Sequence, residues 1–232
     1  MEPDPGDAPP PAAEVEDRLD RHLRQWLGAW PPTAAITVVG SARRDEPCWD
    51  GAIRPLAGVA TPAGSVVSVP PDCVDAARAA GSTLEDVLEG LPEALGRPGG
   101  VVGRGVYRYG VSVPEIQPVG EWVPADAPGV PAWLRPFGGE VLLVRVEGHY
   151  VAGLGIKRHD ELGREVAVAT EEAWRGRGLA RALVARAAGR ILRGGGVPIY
   201  LHGRGNAASA RVAEAAGFPD RGWSILGLPT AT

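Results

Sequence analysis

The chain has 232 residues, 44% of them hydrophobic and 22% charged, with a formal net charge of −4; that is enough for one large domain or two small ones, with the composition of an ordinary globular protein. The negative balance and the scattered arginines exclude a partner held by neutralising nucleic-acid phosphates. No uninterrupted apolar run approaches about 18 residues, so no membrane span is expected.

Residues 1–11 are acidic and Pro-rich, a composition that buries too little apolar surface to offset the entropy of ordering, and they are expected to form a disordered tail. They carry neither the basic nor the apolar region of a leader peptide. From Ala13 to Trp30 the apolar positions Val15, Leu19, Leu23, Trp26, Leu27 and Trp30 recur at spacings of three and four, which predicts an amphipathic helix ended by Pro31-Pro32. Short strands are predicted over Ala35 to Val39 and Ser65 to Val69, and helices over Asp72 to Ala80 and Leu84 to Leu95, with Asp72 and Ser82 as N-caps. Cys48 and Cys73 lack the close spacing of a metal or redox motif and read as free thiols in a reducing, cytoplasmic setting, with no metal bound. Residues 12–96 are expected to form an N-terminal α/β domain, and the Pro- and Gly-rich stretch 97–139 a connection.

Past Gly139 the pattern becomes regular, and a second domain is expected over 140–232. Strands are predicted over Val141 to Val146 and Tyr150 to Ile156, with Glu147-Gly148-His149 as a hairpin turn. A third strand spans Glu165 to Thr170, followed by a helix from Gly178 to Arg193. Then come a strand over Ile199 to His202, a helix over Ala207 to Ala216 ending at Gly217, and a final strand over Trp223 to Leu228.

The chemistry gathers where the third strand meets its helix, in Thr170-Glu171-Glu172-Ala173-Trp174-Arg175-Gly176-Arg177-Gly178-Leu179-Ala180. A helix N-terminus presents unpaired N–H groups with the positive end of the helix dipole behind them, so it attracts phosphate. Gly176 and Gly178 remove side chains that would keep a diphosphate from those donors, and Arg175 and Arg177 add positive charge. The Lys-Ser/Thr ending of a P-loop and the G-x-G-x-x-G spacing of a dinucleotide fold are both absent. Lys157 is the only lysine, so arginine use reflects overall composition, and only this context singles out Arg175 and Arg177.

Arg175-Gly176-Arg177-Gly178-Leu179-Ala180 resembles the R/Q-x-x-G-x-G/A signature of the GNAT N-acetyltransferase superfamily. Asn206, Ser209, Val212, Gly217 and Phe218 resemble its N-x-x-S/A-x-x-V/L-x-x-x-x-G-F element, beyond the next strand. The resemblance covers roughly the last 90 residues. It implies a mixed, mostly antiparallel sheet flanked by helices, in addition to the N-terminal α/β domain. It also implies acetyl-CoA as co-substrate, with its pantetheine arm between the third and fourth strands near Val168, Ala169 and Thr170, and its pyrophosphate on amides from Arg175 to Ala180. Asn206 and Ser209 complete the implied cofactor set, although Asn206 is equally well explained as an N-cap. Gly217 reads as a helix C′ residue and Phe218 as a core anchor.

Acyl transfer to an amine needs a neutral amine and a proton for the departing thiolate. In many superfamily members a Glu on the third strand is the base, and Glu165 is the nearest match. Counted back from the loop it is one position out of step, which reverses a strand side chain unless a bulge restores it. Ala213 stands where relatives place an acidic Tyr, which leaves Ser209, Tyr200 and His202 as replacements, Ser209 first. His159 with Asp160 lies just before the third strand and reads either as structural or as a further catalytic group. Trp133, Phe137, Trp174 and Trp223 read either as core or as acceptor-pocket lining. The expected reaction is direct acetyl transfer from acetyl-CoA to an amine on a small molecule or peptide, with an N-terminal domain that shapes the acceptor site. A non-catalytic acyl-CoA-binding or sensory module is the alternative, and a homodimer stays open.

Overall fold

The computed structural model describes residues 10–228. Of the tail expected over 1–11, only Pro10 and Pro11 fall inside that range. The first helix, α1 (Ala12–Leu27), stops three residues earlier than its periodicity predicts. Gly28 follows it with φ +98°, a left-handed C′ position that glycine occupies without steric cost, so the helix ends before the prolines are reached.

The chain divides into two compact units, each assembled from separate stretches. Among the described residues, one contains 20–107, 201–205 and 220–228. Its strands are β1 (Ile36–Gly40), β2 (Ala57–Thr61), β3 (Gly64–Val69), β4 (Gly103–Tyr109, whose last two residues fall in the other unit) and, from the far end of the chain, β10 (Ser224–Gly227). They lie in the order β1-β3-β2-β10-β4. All pairs are antiparallel except β1 with β3. Two helices, α2 (Val74–Ala79) and α3 (Leu84–Ala94), supply Ala77, Val87, Leu88 and Leu91 to a core that also holds Val38, Val67, Val69 and Leu226.

Strand β2 has no counterpart in the sequence reading. Its residues Ala-Gly-Val-Ala-Thr are small and carry little alternation, and long-range contact is what demands Gly58. A Cβ there would lie 2.9 Å from the Val66 carbonyl oxygen and 3.1 Å from Leu226, so β2 is a strand whose neighbours crowd it. The N-caps also differ from expectation. Thr83, in place of Ser82, caps α3 in a reciprocal box with Asp86, in which each residue's backbone N–H donates to the other's side chain. Asp72 sits inside a short 3-10 turn, Pro71–Cys73, and α2 has no side-chain cap.

The other unit contains residues 108–200 and 206–219, together with 10–19. The stretch expected as a connection contributes regular structure here: β5 (Glu121–Pro124) and a 3-10 turn, Ala132–Phe137. Strands β6 (Glu140–Val146), β7 (His149–Arg158) and β8 (Gly163–Thr170) continue an antiparallel sheet from β5. The β6–β7 turn falls at the predicted place but is shorter by His149, which opens β7 opposite Val146; Glu147 at φ 51° and Gly148 at φ 81° are the two left-handed residues of a type I′ hairpin. β9 (Val197–Gly203) then lies parallel to β8. Two helices flank this sheet: α4 (Leu179–Arg193) packs on β7 and β8, and α5 (Ala207–Ala215) packs against α4. The core between them includes Leu142, Leu154, Val166, Leu183, Val184, Tyr200 and Phe218.

Strand β10 was expected to complete the C-terminal domain. It pairs instead with β2 and β4, in the unit built mainly from the first half of the chain.

Candidate active site

The site begins where two strands part. β8 and β9 are paired only at Gly163 with Val197, Arg164 with Pro198 and Glu165 with Ile199. Beyond Glu165, β8 stays paired with β7 alone, so one backbone edge of Val166 to Thr170 is left to meet an amide-bearing ligand. A cleft of about 680 Å³ opens there, bounded by β8, the β8–α4 loop, Tyr200 of β9 and the first turns of α5.

The loop explains its own sequence. After Thr170 the chain makes a 3-10 turn over Glu172–Trp174, Arg175 is extended, and Gly176 and Gly178 take φ +75° and +76°. A Cβ on Gly176 would meet nothing within 4 Å, and one on Gly178 only the Arg181 guanidinium at 3.8 Å. Backbone conformation, more than crowding within the protein, therefore demands glycine at both positions. Gly178 is the N-cap of α4 and offers no side-chain acceptor. The first intrahelical bond runs from the Ala182 N–H to the Gly178 carbonyl, so the amides of Leu179, Ala180 and Arg181 remain as helix-end donors. Thr170, at the end of β8, adds a hydroxyl oxygen that is buried without a hydrogen-bond partner.

Of the residues singled out from sequence, Val168, Ala169, Thr170, Arg175, Gly176, Gly178, Leu179, Ala180, Asn206 and Ser209 line this one cleft. Arg177 does not. Its guanidinium stacks 4.4 Å over the Trp174 ring, and it borders a neighbouring groove between residues 115–119 and α4. Trp174, Arg181, Arg211, Val212 and Ala215 line the cleft as well. For Arg211, Val212 and Ala215 the signal lay in helical spacing: 208, 211, 212 and 215 follow the three-four repeat that puts residues on one helix face.

On the far wall Asn206 caps α5, its side-chain oxygen accepting from the Ser209 N–H at 3.0 Å. That bond sets the first turn so that Ser209 Oγ lies 2.8 Å from the Tyr200 hydroxyl. Tyr200 is 3% exposed. Burial raises its phenol above the ordinary tyrosine value, only partly opposed by the Ser209 bond and the Arg108 charge. Behind it the Phe218 ring lies 5.7 Å away, tilted by 58°, and Gly217 turns the chain with φ +93°, as read from sequence.

Glu165 stands at the last paired rung, yet it is not among the residues lining the cleft. The β7–β8 register runs without interruption from Arg164 to Thr170, so no bulge restores its direction. By strand alternation its side chain leaves the sheet opposite to Val166, which packs in the core beside α4. The carboxylate is buried, accepts from Lys157 Nζ at 2.5 Å and lies 3.0 Å from His159 Nε2. Burial raises its pKa, but the His159 and Lys157 bonds and charges outweigh burial and leave the carboxyl below its ordinary value. His159 and Lys157 thus meet at the same carboxylate. His202 lies outside the cleft, its Nδ1 2.9 Å from the Gly203 carbonyl oxygen.

The aromatic residues separate. Trp174 lines the cleft. Trp133 and Phe137 meet edge to face at 6.0 Å, and Phe137 covers Gly155 of β7 so closely that a Cβ there would fall 2.4 Å from the ring. Trp223 lies in the other unit, with its ring 5.9 Å from Tyr107 and 5.5 Å from Trp30.

At a split parallel strand pair, a helix end with free amides and an Asn-capped helix border one cleft. Residues 115–218 match the acetyltransferase (GNAT) family, and this C-terminal half of the chain belongs to the GNAT superfamily. Among solved structures, a candidate acetyltransferase of that family from Novosphingobium aromaticivorans is 26% identical, covering 56% of this chain and 66% of its own, with a TM-score of 0.46. A GCN5-related N-acetyltransferase from Kribbella flavida is 18% identical over 94% of this chain and 96% of its own, with a TM-score of 0.47. A GCN5-related N-acetyltransferase-like protein from Streptococcus suis is 14% identical over 93% and 100%, with a TM-score of 0.45. No curated protein matches the chain.

Proposed function

We propose that the protein transfers an acetyl group from acetyl-CoA to the amine of a small molecule or peptide by direct attack. The observation that carries this reading is convergence: two motifs some 30 residues apart in sequence line one cleft, at the place where β8 and β9 separate. Val168 to Thr170 offer strand-edge groups to the pantetheine amides. The amides of Leu179 to Arg181, with Arg175 beside them, meet the pyrophosphate. Titrating acetyl-CoA calorimetrically tests the reading; saturable binding in the micromolar range is expected, and none at millimolar ligand would sink it.

In this proposal Glu165 is the base, acting through water from the sheet face opposite α4, while Ser209 and its hydroxyl partner serve the leaving group from the other side. The amine then loses its proton on one face of the split and the thiolate gains one on the other. Glu165→Gln is expected to lower kcat about 100-fold, the usual scale of general-base catalysis, with acetyl-CoA affinity unchanged. The same variant reports on stability. A carboxyl that titrates lower in the folded than in the unfolded chain stabilises fully above its unfolded pKa of about 4.3, and loses that contribution as pH falls through the folded value. Denaturant unfolding at pH 7 and pH 3 should therefore show a smaller acid-induced loss in Glu165→Gln than in the unmodified protein.

One observation favours a non-catalytic acyl-CoA-binding or sensory module instead: the Glu165 carboxylate is already engaged by Lys157 and His159. Thiol release from acetyl-CoA across a panel of amino acids, polyamines, aminoglycosides and peptide N-termini separates the two. Binding without release on the whole panel would favour the module.

A further inference from the structure

A second cavity, of about 210 Å³, lies in the same unit between the sheet and the last turns of α4. Each of four strands gives it one charged or aromatic side chain: Trp122 of β5, Glu140 of β6, Arg158 of β7 and Arg164 of β8, faced by Arg190 of α4. α4 runs for 15 residues, about 22 Å, so this cavity and the amides of Leu179 to Arg181 stand at its opposite ends. A helix C-terminus carries partial negative charge, which would oppose an anion. Here its carbonyls are occupied: Arg190, Ile191 and Leu192 accept from the N–H groups of Gly194, Gly196 and Gly195. Three guanidinium groups therefore face the cavity against the single carboxylate of Glu140.

The three arginines differ in how far the protein satisfies them. Arg190 lies 2.5 Å from Glu140 and 4.3 Å over the Trp122 ring. Arg164 donates to the carbonyl oxygens of Asp160, Glu161 and Gly163. Burial lowers its pKa, the Arg158 charge lowers it further, and the Asp160 and Glu161 charges oppose both. Arg158 has neither a hydrogen bond nor an ion pair among the described residues. It stands directly opposite Arg164 in the β7–β8 ladder, where like charges destabilise a sheet. Its Nη2 reaches across to the start of β6, 3.8 Å from where a Cβ on Gly139 would stand. An unmatched positive charge is thus held over the apolar surface of Ile156 and Ile191.

We propose that this cavity is a binding site for a small dicarboxylate, separate from the candidate cofactor cleft and independent of the acetyl-transfer reading. One carboxylate meets Arg158 beside Arg164, the other meets the remaining N–H groups of Arg190, and the link between them covers Ile156 and Ile191. Size supports this class: a water occupies about 30 Å³, so the cavity holds about seven waters, the space of a ligand with roughly eight non-hydrogen atoms. Charge placement supports it too. Arg190 stacks on Trp122 of β5, two strands from β7, and neighbouring strands lie about 4.8 Å apart. Two basic centres so separated suit two carboxylates better than one compact anion. Guanidinium groups pair with carboxylates through parallel N–H bonds.

Calorimetric titration of the full chain with succinate, inorganic phosphate and neutral succinamide tests the site. Succinate should bind with Kd below about 1 mM, phosphate at least about tenfold more weakly, and succinamide not at all. Arg158→Gln should weaken succinate by about tenfold or more, the scale of one lost charge-assisted hydrogen bond. Because the variant also removes the cross-strand repulsion, its ligand-free Tm should equal or exceed that of the unmodified protein. Succinate affinity unchanged in Arg158→Gln overturns the proposal, and that is the result binding in the cofactor cleft would give. Phosphate binding as tightly as succinate overturns the dicarboxylate assignment. A ligand-free Tm lowered by more than about 5 °C marks Arg158 as structural and overturns its role as the anion partner. No succinate binding at about 20 mM overturns the site outright.

Discussion

Gly178→Val will weaken acetyl-CoA binding by about 100-fold while leaving the chain folded. Gly178 sits at φ +76° as the N-cap of α4, and a β-branched residue there is a genuine conformational outlier. The loop would have to rebuild, turning its N–H groups away from the pyrophosphate. Charge-assisted hydrogen bonds contribute about 1.5–3 kcal/mol each. Losing two of them costs about 3 kcal/mol or more, which corresponds to at least a hundredfold in Kd. The protein interior would tolerate the added atoms, because only the Arg181 guanidinium approaches a Cβ at this position, at 3.8 Å. Denaturant unfolding of the variant should therefore show only the loss of about 1–3 kcal/mol that backbone strain at a positive φ brings, and calorimetry reads the affinity. Affinity within about threefold would refute the placement of the pyrophosphate on this helix end.

The largest stability effect is expected from the other motif. Phe218→Ala should destabilise the protein by about 3–5 kcal/mol, the usual cost of deleting a buried phenyl ring and leaving its cavity. Phe218 is fully buried among Leu183, Val184, Ala213, Ala216 and Tyr200. It follows Gly217, where the chain has no freedom to relax. The residue takes φ +93°, and a Cβ would lie 2.8 Å from the Ser112 carbonyl oxygen. For a chain of this size such a loss lowers Tm by roughly 10 °C. Because the ring backs Tyr200, the variant should also lose acyl transfer faster than acetyl-CoA affinity. A thermal scan showing a shift under about 2 °C would overturn the assignment of Phe218 as the anchor of this core.

The elements that read correctly from sequence share a physical property: each is decided within a few residues. The hairpin at Glu147 and Gly148, the two helices that follow the β8 loop and Asn206, and the left-handed glycine at 217 follow from local backbone chemistry and apolar repeat. The glycine-rich helix start after β8 was legible for the same reason, because a helix N-terminus leaves its first amides, consecutive in sequence, without intrahelical partners. Cleft residues beyond the motifs, such as Arg211 and Ala215, were within reach through helical spacing alone.

What the sequence left undecided depends on partners remote along the chain. β2 is a strand because β3 and β10 lie beside it, and β5 because it borders β6; neither has the alternation that would mark it alone. The placement of β10 beside β2 and β4 joins residues more than 100 positions apart, a pairing no local pattern encodes. The same holds at the chemistry. Local pattern alone located a glycine-rich helix start after β8 and a capped helix after the next strand. Only the tertiary structure decided that both border one cleft, that Tyr200 meets Ser209, and that Glu165 is turned to the other sheet face and paired with Lys157 and His159. The reason is that strand register and side-chain direction are set by the whole sheet, and a single-residue step reverses which face a catalytic group can serve.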